Sequence, residues 1–384
     1  MLIGVPREIK TEEYRVGLTP ESVATLVSQG HQVRVETGAG AGIGATDSDY
    51  AAAGARVAGT AAEIWASAEL VVKVKEPQQV ERQQLRSGQT LFTYLHLAGD
   101  AEQARELMAS GATCIAYETV TDAQGRLPLL APMSEIAGRM SIHVGAHWLE
   151  STQGGRGVLL AGATGVERAK VVVLGAGVSG SNAATVAAAM GAEVSVLDRS
   201  AAALARLDAL TGGAVRMVPA DPDAIAQHVA QADLVIGAVL VPGDAAPRLI
   251  DRALLARMQK GAVIVDIAID QGGCCETSRP TTHRAPTFVV DGIVHYCVAN
   301  MPGAVPRTST YALNHATLPL VRALAGQSVV QALRSDPFLR AGLNVHGGRI
   351  THAAVAHALQ TEAIDPLRAL DAAAAAQPTP GASA

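Results

Sequence analysis

The sequence predicts an α/β protein of two domains, each with a doubly wound, mostly parallel sheet. Two observations indicate this class. Short apolar runs alternate with helical patterns along most of the 384 residues, as parallel sheets require when each crossover passes through a helix. A glycine-rich turn, GAGVSG at 175–180, lies between an apolar run and an alanine-rich segment, which is typical of nucleotide-binding sheets. The length suits two domains of ordinary size.

Composition narrows the class of protein. The chain is 49% hydrophobic and 17% charged with a net charge of −5, which predicts a packed soluble protein that does not bind nucleic acid. The start, MLIGVPREIK, lacks the pattern of a signal peptide, so we expect a cytoplasmic protein. The uncharged stretch 171–192 is long enough for a membrane span, but its glycines favour a strand and a helix. Four cysteines without metal-ligand spacing predict buried, reduced thiols.

The first domain is predicted from its alternating elements. A helix begins with Thr19 as N-cap and Pro20 in its first turn, and ends at Gly30. Further helices are expected near 47–54 and at 101–110. The expected strands are 2–6, 31–36, 70–74, 89–94 and 113–117.

A long helix leads into the second domain. Ser134 and Glu135 are expected to cap this helix, which runs to about Glu150. After Met301 and Pro302 only helical patterns are expected, and these helices are expected to pack on the first domain. Six strands are predicted in the second domain, at 171–174, 193–197, 214–217, 234–237, 263–267 and 287–290.

The glycine-rich turn has the spacing and context of a dinucleotide fingerprint. Gly175 permits the tight turn, Gly177 lets the backbone approach a pyrophosphate, and Gly180 lets helix and strand pack closely. Asp198 follows 23 residues after Gly175, at the end of the next strand. A carboxylate there binds the ribose hydroxyls and favours NAD, whereas the adjacent Arg199 suits NADP. We therefore predict a Rossmann domain that binds NAD.

Polar residues near strand ends are the candidates for chemistry. His96 suits acid–base catalysis, although a lone histidine at a strand end is often structural. Asp270 is expected to end the strand AVIVDIAID, with Asp266 as a competitor and a turn cap as the plainer role. Arg15 suits a substrate carboxylate or an ion pair with Glu12 or Glu13.

Two lysines in VVKVKEP add to this group of candidates. Lys73 and Lys75 are expected on one face of a strand. At least one of them is a candidate for function, and the alternative is a solvated strand end.

Taken in order, the motifs of this chain resemble alanine dehydrogenases over nearly the whole length. The matching stretches are REIKTEEYRVGLTP, VVKVKEP, LFTYLHLA, CIAYETV, LPLLAPMSEIAGR, TQGGRG, VLGAGVSG, DLVIGAVLVPG, VDIAIDQGGC, SRPTTH and YCVANMPGAVPRTSTYAL. The resemblance implies reversible, NAD-dependent deamination of L-alanine to pyruvate and ammonia by a homohexamer. It also implies a substrate domain of residues 1–130 with 305–384 and an NAD domain of residues 131–304. The related alternatives are a transhydrogenase-type NAD-binding module and an N-carboxyalkyl amino acid synthase.

The resemblance also implies roles for individual residues. Arg15 and Lys75 would hold the substrate, His96 would transfer protons and Asp270 would orient water or ammonia. Some members have a basic residue and a serine that contact the adenosine, where this chain has Ala203 and Ala220. The segment ALAGQ at 323–327 lacks the ligands of a metal site found in some members, so no metal site is predicted. The implied cofactor contacts, with the fingerprint glycines, are Ser134, Gly175, Gly177, Val178, Gly180, Asp198, Val239, Leu240, Ile267, Asp270, Arg279, Val298, Asn300 and Met301.

Overall fold

The computed structural model describes residues 1–239 and 246–375. The strands are β1 (Leu2–Val5), β2 (Gln32–Glu36), β3 (Arg56–Ala58), β4 (Leu70–Val72), β5 (Thr90–Thr93), β6 (Thr113–Ala116), β7 (Lys170–Leu174), β8 (Glu193–Asp198), β9 (Arg216–Pro219), β10 (Leu234–Gly237), β11 (Val263–Asp266), β12 (Thr287–Val290), β13 (Ile293–Tyr296), β14 (Leu343–His346) and β15 (Arg349–Ile350).

The helices fill most gaps between the strands. They are α1 (Pro20–Ser28), α2 (Asp47–Ala52), α3 (Ala61–Ser67), α4 (Gln79–Arg82), α5 (Ala101–Ser110), α6 (Ala131–Trp148), α7 (Val178–Ala189), α8 (Ala201–Thr211), α9 (Pro222–Gln231), α10 (Arg252–Leu255), α11 (Pro306–Ala325), α12 (Val329–Ser335), α13 (Pro337–Arg340), α14 (Ala353–Ala358) and α15 (Pro366–Ala375). None of the helices in the described part of the chain is long and apolar enough to cross a membrane.

The chain folds as two compact units. The first unit comprises Met1–Pro132 and Val305–Ala384, and the second comprises Met133–Ala304. The first unit has the strand order β15-β14-β6-β5-β4-β1-β2-β3 and the second β12-β13-β11-β10-β7-β8-β9. Six neighbouring strands in each sheet are parallel. The predicted α/β class with two doubly wound sheets is confirmed.

Each sheet has one point at which the strand order reverses. In the first unit this point lies between β1 and β4, and in the second between β7 and β10. Ligands of open α/β sheets bind in the crevice at the carboxyl ends of such strands. We therefore expect the ligand sites at the residues that follow β1, β4, β7 and β10.

The second sheet is covered by apolar layers on both faces. Val171 and Val173 of β7 face one layer, whereas Val172 and Leu174 face the other. This alternation follows from the two-residue period of a strand. Helix α6 joins the first layer through Ile142. Burial on both faces explains why residues 171–174 of β7 are all apolar.

The edges of both sheets differ from the prediction. The strand β13 was not predicted, and neither were β14 and β15 in the region expected to be helical. Two antiparallel hairpins, β12–β13 and β14–β15, occupy these edges. Their two-residue turns are Asp291-Gly292, with φ values of 51° and 81°, and Gly347-Gly348, with 55° and 78°. Positive φ at both positions is the signature of tight hairpin turns.

Candidate active site

The glycine-rich turn joins β7 to α7 at the switch point of the second sheet. Gly175 has a φ of +106°, and a Cβ there would lie 2.7 Å from the carbonyl oxygen of Ala238. A Cβ on Gly180 would lie 1.8 Å from the carbonyl oxygen of Gly175. Both positions therefore exclude any larger residue. By contrast, a Cβ on Gly177 would meet no protein atom within 4 Å, so the space beside this residue is open.

The start of α7 has the properties of an anion site. Gly177 is the N-cap residue and supplies no side chain to bond the first helical N–H groups. Free N–H groups and the helix dipole favour a phosphate at such a position. Gly138 of α6 packs close by, since a Cβ there would lie 2.1 Å from the carbonyl oxygen of Ser179. This contact fixes α7 against α6 within the second unit.

Asp198 ends β8 next to this turn and is half-buried. One carboxylate oxygen accepts a hydrogen bond of 2.6 Å from the N–H of Ala176, and the other accepts one of 2.7 Å from the N–H of Ser200. The carboxylate thus links β8 to the glycine turn. Because a carboxylate has about four acceptor positions, acceptor capacity for hydroxyl groups is left. The neighbouring Arg199 is exposed.

The other predicted cofactor contacts lie at several places in the second unit. Val178 begins α7 and is 47% exposed, whereas Val298 and Met301 are buried. Val239 follows β10, and Leu240 lies outside the described residues. The prediction that Ser134 caps α6 is wrong. The helix already begins at Ala131, with Pro132 in its first turn.

The remaining predicted contacts lie in turns that follow β11 and β13. Ile267 begins the turn that follows β11. The guanidinium of Arg279 lies 4.4 Å above the ring centre of Phe288. Asn300 has a φ of +64°. The side chain of His283 bonds the carbonyl of Asn300 at 3.2 Å.

The prediction that Asp270 ends a strand is wrong. The strand β11 ends at Asp266, and Asp270 lies in the short helical turn Ile267–Gln271 with its side chain exposed. Asp266 causes the chain to turn back, since its Oδ2 accepts hydrogen bonds from the Cys274 N–H at 2.9 Å and the Ser278 hydroxyl at 2.6 Å. Burial raises the pKa of Asp266 above its ordinary value, opposed by these hydrogen bonds. Asp266 therefore shapes the turn that presents Asp270.

Arg15 lies in the loop after β1 in the first unit. Its side chain is 2% exposed, and Glu13 accepts hydrogen bonds from its Nε at 2.7 Å and its Nη2 at 2.5 Å. The ion pair with Glu13 was one of the alternatives drawn from the sequence, but it is buried and not on the surface. A bidentate carboxylate fixes the plane of the guanidinium. Arg15 is thus held rigidly at the carboxyl end of the first sheet.

Lys73 and Lys75 follow β4 and have different environments. The strand ends at Val72, so the prediction of two lysines on one strand face is wrong. Lys73 is fully buried between Glu8 and Glu81, at 3.1 and 2.7 Å. Although burial lowers the pKa of Lys73, the two carboxylates raise it above its ordinary value. Lys75 is half-buried.

Glu76 connects the positive groups of the first unit. Its side chain is 16% exposed and forms a salt bridge with Lys10. Burial raises its pKa, but the charges of Lys75, Lys10 and His96 outweigh this effect and lower the pKa below its ordinary value. Glu76 therefore lies within electrostatic range of both Lys75 and His96, two of the residues predicted to act on substrate.

His96 follows β5 with an exposed side chain. Its ring stacks on Tyr94, with centroids 5.8 Å apart and planes 9° apart. The Tyr94 hydroxyl donates a hydrogen bond of 2.5 Å to the carbonyl of Leu129. The charge of Arg15 also acts on Tyr94. The ring contact of His96 with Tyr94, the charge interaction of Arg15 with Tyr94 and those of Lys75 and His96 with Glu76 thus place these three residues near one another, at the carboxyl ends of β1, β4 and β5.

The glutamates of this group were missed by the sequence analysis as functional residues. Glu8, Glu76 and Glu118 each accept hydrogen bonds or salt bridges from the segments that carry the candidate residues. Each of them lies close after a strand, which was an available signal. Acidic residues at strand ends are commonly solvated, however, and only the tertiary structure shows that Glu8 is buried.

Family models describe both parts of the chain. The alanine dehydrogenase/PNT N-terminal domain matches residues 4–137, and the alanine dehydrogenase/PNT C-terminal domain matches residues 141–353. The chain belongs to the alanine dehydrogenase/PNT family. The resemblance predicted from the sequence motifs is thereby confirmed.

Individual members of the alanine dehydrogenase/PNT family match nearly the whole chain. The alanine dehydrogenase of Halomonas elongata is 56% identical over 365 residues, 95% of this chain and 98% of that protein. A solved L-alanine dehydrogenase has a TM-score of 0.91 at 52% identity and covers 94% of this chain and 99% of its own. A transhydrogenase from Sinorhizobium meliloti has a TM-score of 0.79 at 28% identity and covers 92% of this chain and 100% of its own.

Proposed function

We propose that this protein catalyses the reversible, NAD-dependent oxidative deamination of L-alanine to pyruvate and ammonia. The single observation that carries the proposal is that Arg15, Lys75 and His96 follow the carboxyl ends of the adjacent strands β1, β4 and β5. These side chains provide two cations for a carboxylate and a carbonyl, and a group that exchanges protons near neutral pH. The identity of 56% to a protein named alanine dehydrogenase supports the same substrate.

The residues of the second unit fit NAD. The open space at Gly177 and the uncapped start of α7 suit a pyrophosphate. Asp198 suits the ribose hydroxyls and disfavours a 2′-phosphate, whereas Arg199 is the feature that would favour NADP. When bound, NAD supplies a hydride acceptor. We propose that the further contacts come from Ser134, Gly175, Val178, Gly180, Val239, Leu240, Ile267, Asp270, Arg279, Val298, Asn300 and Met301.

The first unit would hold the substrate. Glu13 accepts hydrogen bonds from the Nε and Nη2 of Arg15, which holds the guanidinium in a defined orientation. Lys75 is the better partner for the substrate than Lys73, since Lys73 is fully buried between two carboxylates. Arg15 and Lys75 together would fix the carboxylate of alanine. Holding a reactant in one orientation lowers the barrier by several kcal/mol.

His96 would transfer protons, and Asp270 would orient a water molecule. From the neutral amine of alanine, loss of hydride from Cα to the acceptor would leave an iminium, to which one water adds. Asp270, whose side chain is exposed in the turn after β11, would orient this water. His96 would accept the proton that the water releases on addition and donate one to the amino group as ammonia leaves. It would then accept the hydroxyl proton as the carbonyl of pyruvate forms, so one proton is released in each turnover. In the reverse direction the same two residues would guide ammonia onto pyruvate.

The test measures NADH directly on the purified protein, in both directions of the reaction. We expect NADH to appear with NAD and L-alanine, and to disappear with pyruvate and ammonium. The variant His96→Ala should lose most turnover in both directions but should bind NAD as the parent does. Normal turnover by His96→Ala would contradict the role of this residue, and no reaction of the parent in either direction would contradict the function.

A transhydrogenase-type module is the second candidate, because a transhydrogenase matches with a TM-score of 0.79. Such a module would bind NAD without oxidising alanine. An N-carboxyalkyl amino acid synthase would instead consume NADH with pyruvate and an amino acid in place of ammonia. The assay with an amino acid in place of ammonium distinguishes the two alternatives, since only the synthase would then consume NADH. The family resemblance further predicts a cytoplasmic protein and a homohexamer. Light scattering would test the hexamer by measuring the mass of the assembly.

A further inference from the structure

His96 is held in an unusual backbone conformation. Its φ is +52° and its ψ is 37°, in the left-handed region that residues other than glycine rarely occupy. The conformation turns the chain sharply after β5, and it sets the direction in which the imidazole leaves the backbone. Such conformations persist only where the surroundings hold them in place.

The carboxylate of Glu118 supplies much of that restraint. Its Oε1 accepts a hydrogen bond of 2.6 Å from the N–H of His96, and both of its oxygens lie 3.2 Å from the N–H of Leu95. Glu118 reaches this position because β5 and β6 are adjacent and parallel, with Thr93 opposite Ala116. The carboxyl ends of the two strands thus place Glu118 beside the turn that carries His96.

Neutral groups hold the rest of the same segment. The N–H of Tyr94 bonds the carbonyl of Val74 at 3.2 Å. The buried side chain of Gln103 donates a hydrogen bond of 2.6 Å to the carbonyl of Leu95. Glu118 is the partner of the His96 N–H itself and contributes a charged acceptor, which makes stronger hydrogen bonds than a neutral one.

We infer that Glu118 is a positioning residue for the proposed reaction, acting through the backbone of His96. The inference rests on the proposed function, in which His96 transfers the proton. With Glu118 in place, the imidazole starts from one fixed backbone direction. Without it, the N–H groups of Leu95 and His96 lose their acceptor and the turn can relax towards the common conformations. A misplacement of about 1 Å can cost about 100-fold in rate.

The test compares Glu118→Ala and Glu118→Gln in the parent and in a His96→Ala background. The exposed Glu102, on α5 of the same unit, provides the control Glu102→Gln. We expect Glu118→Ala to lower kcat about 10- to 100-fold with unchanged affinity for NAD. Glu118→Gln should retain more activity than Glu118→Ala, since the amide oxygen still accepts the His96 N–H. Enzyme in excess makes residual turnover measurable.

The His96→Ala background separates positioning from general stability. If Glu118 acts through His96, Glu118→Ala should change the residual rate less than about twofold there. An equal loss in both backgrounds, or full activity of Glu118→Ala in the parent, would overturn the inference. Should Glu118→Ala not fold, Glu118→Leu, which fills similar space and also lacks an acceptor for the His96 N–H, takes its place in the comparison. An active parent with an insensitive Glu118 overturns this inference alone, whereas a parent inactive on alanine overturns the proposed function with it.

Discussion

Lys73 Nζ lies 3.1 Å from Glu8 Oε2, and both side chains are buried in the first unit. The other oxygen of Glu8 accepts hydrogen bonds from the N–H groups of Val74 at 2.7 Å and Lys75 at 3.4 Å. The hydroxyl of Thr93 also bonds the carbonyl of Lys75 at 2.9 Å. One lysine of VVKVKEP is therefore a structural cation that helps to fix the backbone of the other.

The two lysines should respond differently to the same substitution. Lys73→Met leaves Glu8 and Glu81 buried without their cation, so we expect a loss of about 3–5 kcal/mol in the free energy of unfolding. Lys75→Met should unfold like the parent but lose about 10- to 100-fold in kcat/KM for alanine. Urea unfolding and steady-state kinetics on both variants check this. The assignment would be reversed if Lys73→Met were stable and inactive.

Two glycines of the cofactor turn form a second matched pair. Gly180→Ala places a Cβ against the carbonyl of Gly175, so we expect α7 to shift, a loss of about 1–3 kcal/mol in stability and weaker NAD binding. Gly177→Ala meets no protein atom. We expect its stability to fall by no more than about 1 kcal/mol, because alanine is a poorer N-cap residue than glycine, while its affinity for NAD falls about tenfold or more. Full NAD affinity of Gly177→Ala, measured by calorimetry, would argue against a pyrophosphate beside that residue.

The two aspartates near the end of β11 allow a similar comparison. Asp266→Ala removes the acceptor for the Cys274 N–H and the Ser278 hydroxyl, at about 1–3 kcal/mol for each buried donor left unpaired. We expect a lower urea midpoint for this variant. Asp270→Ala alters an exposed side chain and should leave the midpoint unchanged while turnover with alanine falls about 100-fold. Comparable activity of Asp270→Ala and the parent would remove Asp270 from the reaction.

The stability contributed by Glu76 should depend on pH. Its pKa is lowered in the folded protein, with the opposing effect of burial outweighed by Lys75 and Lys10. Ionised Glu76 therefore stabilises the fold above its ordinary pKa of 4.5, and this stabilisation is lost as the pH falls through the folded-state value. Urea midpoints of Glu76→Gln and the parent should differ near neutral pH and converge in acid. A difference in midpoint that is constant with pH, or that grows in acid, would contradict a lowered pKa of Glu76. The control Glu102→Gln should match the parent at every pH.

The parts of the fold that the sequence predicted are those with strong local signals. The unit from β7 to β8 has an apolar run, three spaced glycines and a terminal aspartate, and each of these has a local steric or electrostatic cause. The edge strand β12 was predicted, but its partner β13 was missed because it follows after a turn of only two residues. The strands β14 and β15, of four and two residues, were missed because they form a small hairpin within a region of helical patterns. The dipeptides Asp291-Gly292 and Gly347-Gly348 were the signals that could have revealed them.

The candidate site was predictable to the same extent. Arg15, Lys75 and His96 follow strand ends, where the order of the sheet brings them together. The partners that orient them were not predictable, because the burial of Glu8, and its pairing with Lys73, depends on segments 65 residues apart. Asp270 was placed on a strand because the pattern of AVIVDIAID does not reveal that Asp266 bonds back to the following loop.

Direct transfer of hydrogen from the substrate tests the proposed function most directly. The protein is incubated with NAD and with L-alanine that carries deuterium at Cα, and the NADH formed is analysed by mass spectrometry. The proposed reaction predicts one deuterium in each NADH and none in the solvent, together with pyruvate in equal amount. NADH without deuterium, or no NADH at all, would contradict the assignment of this chain as an L-alanine dehydrogenase.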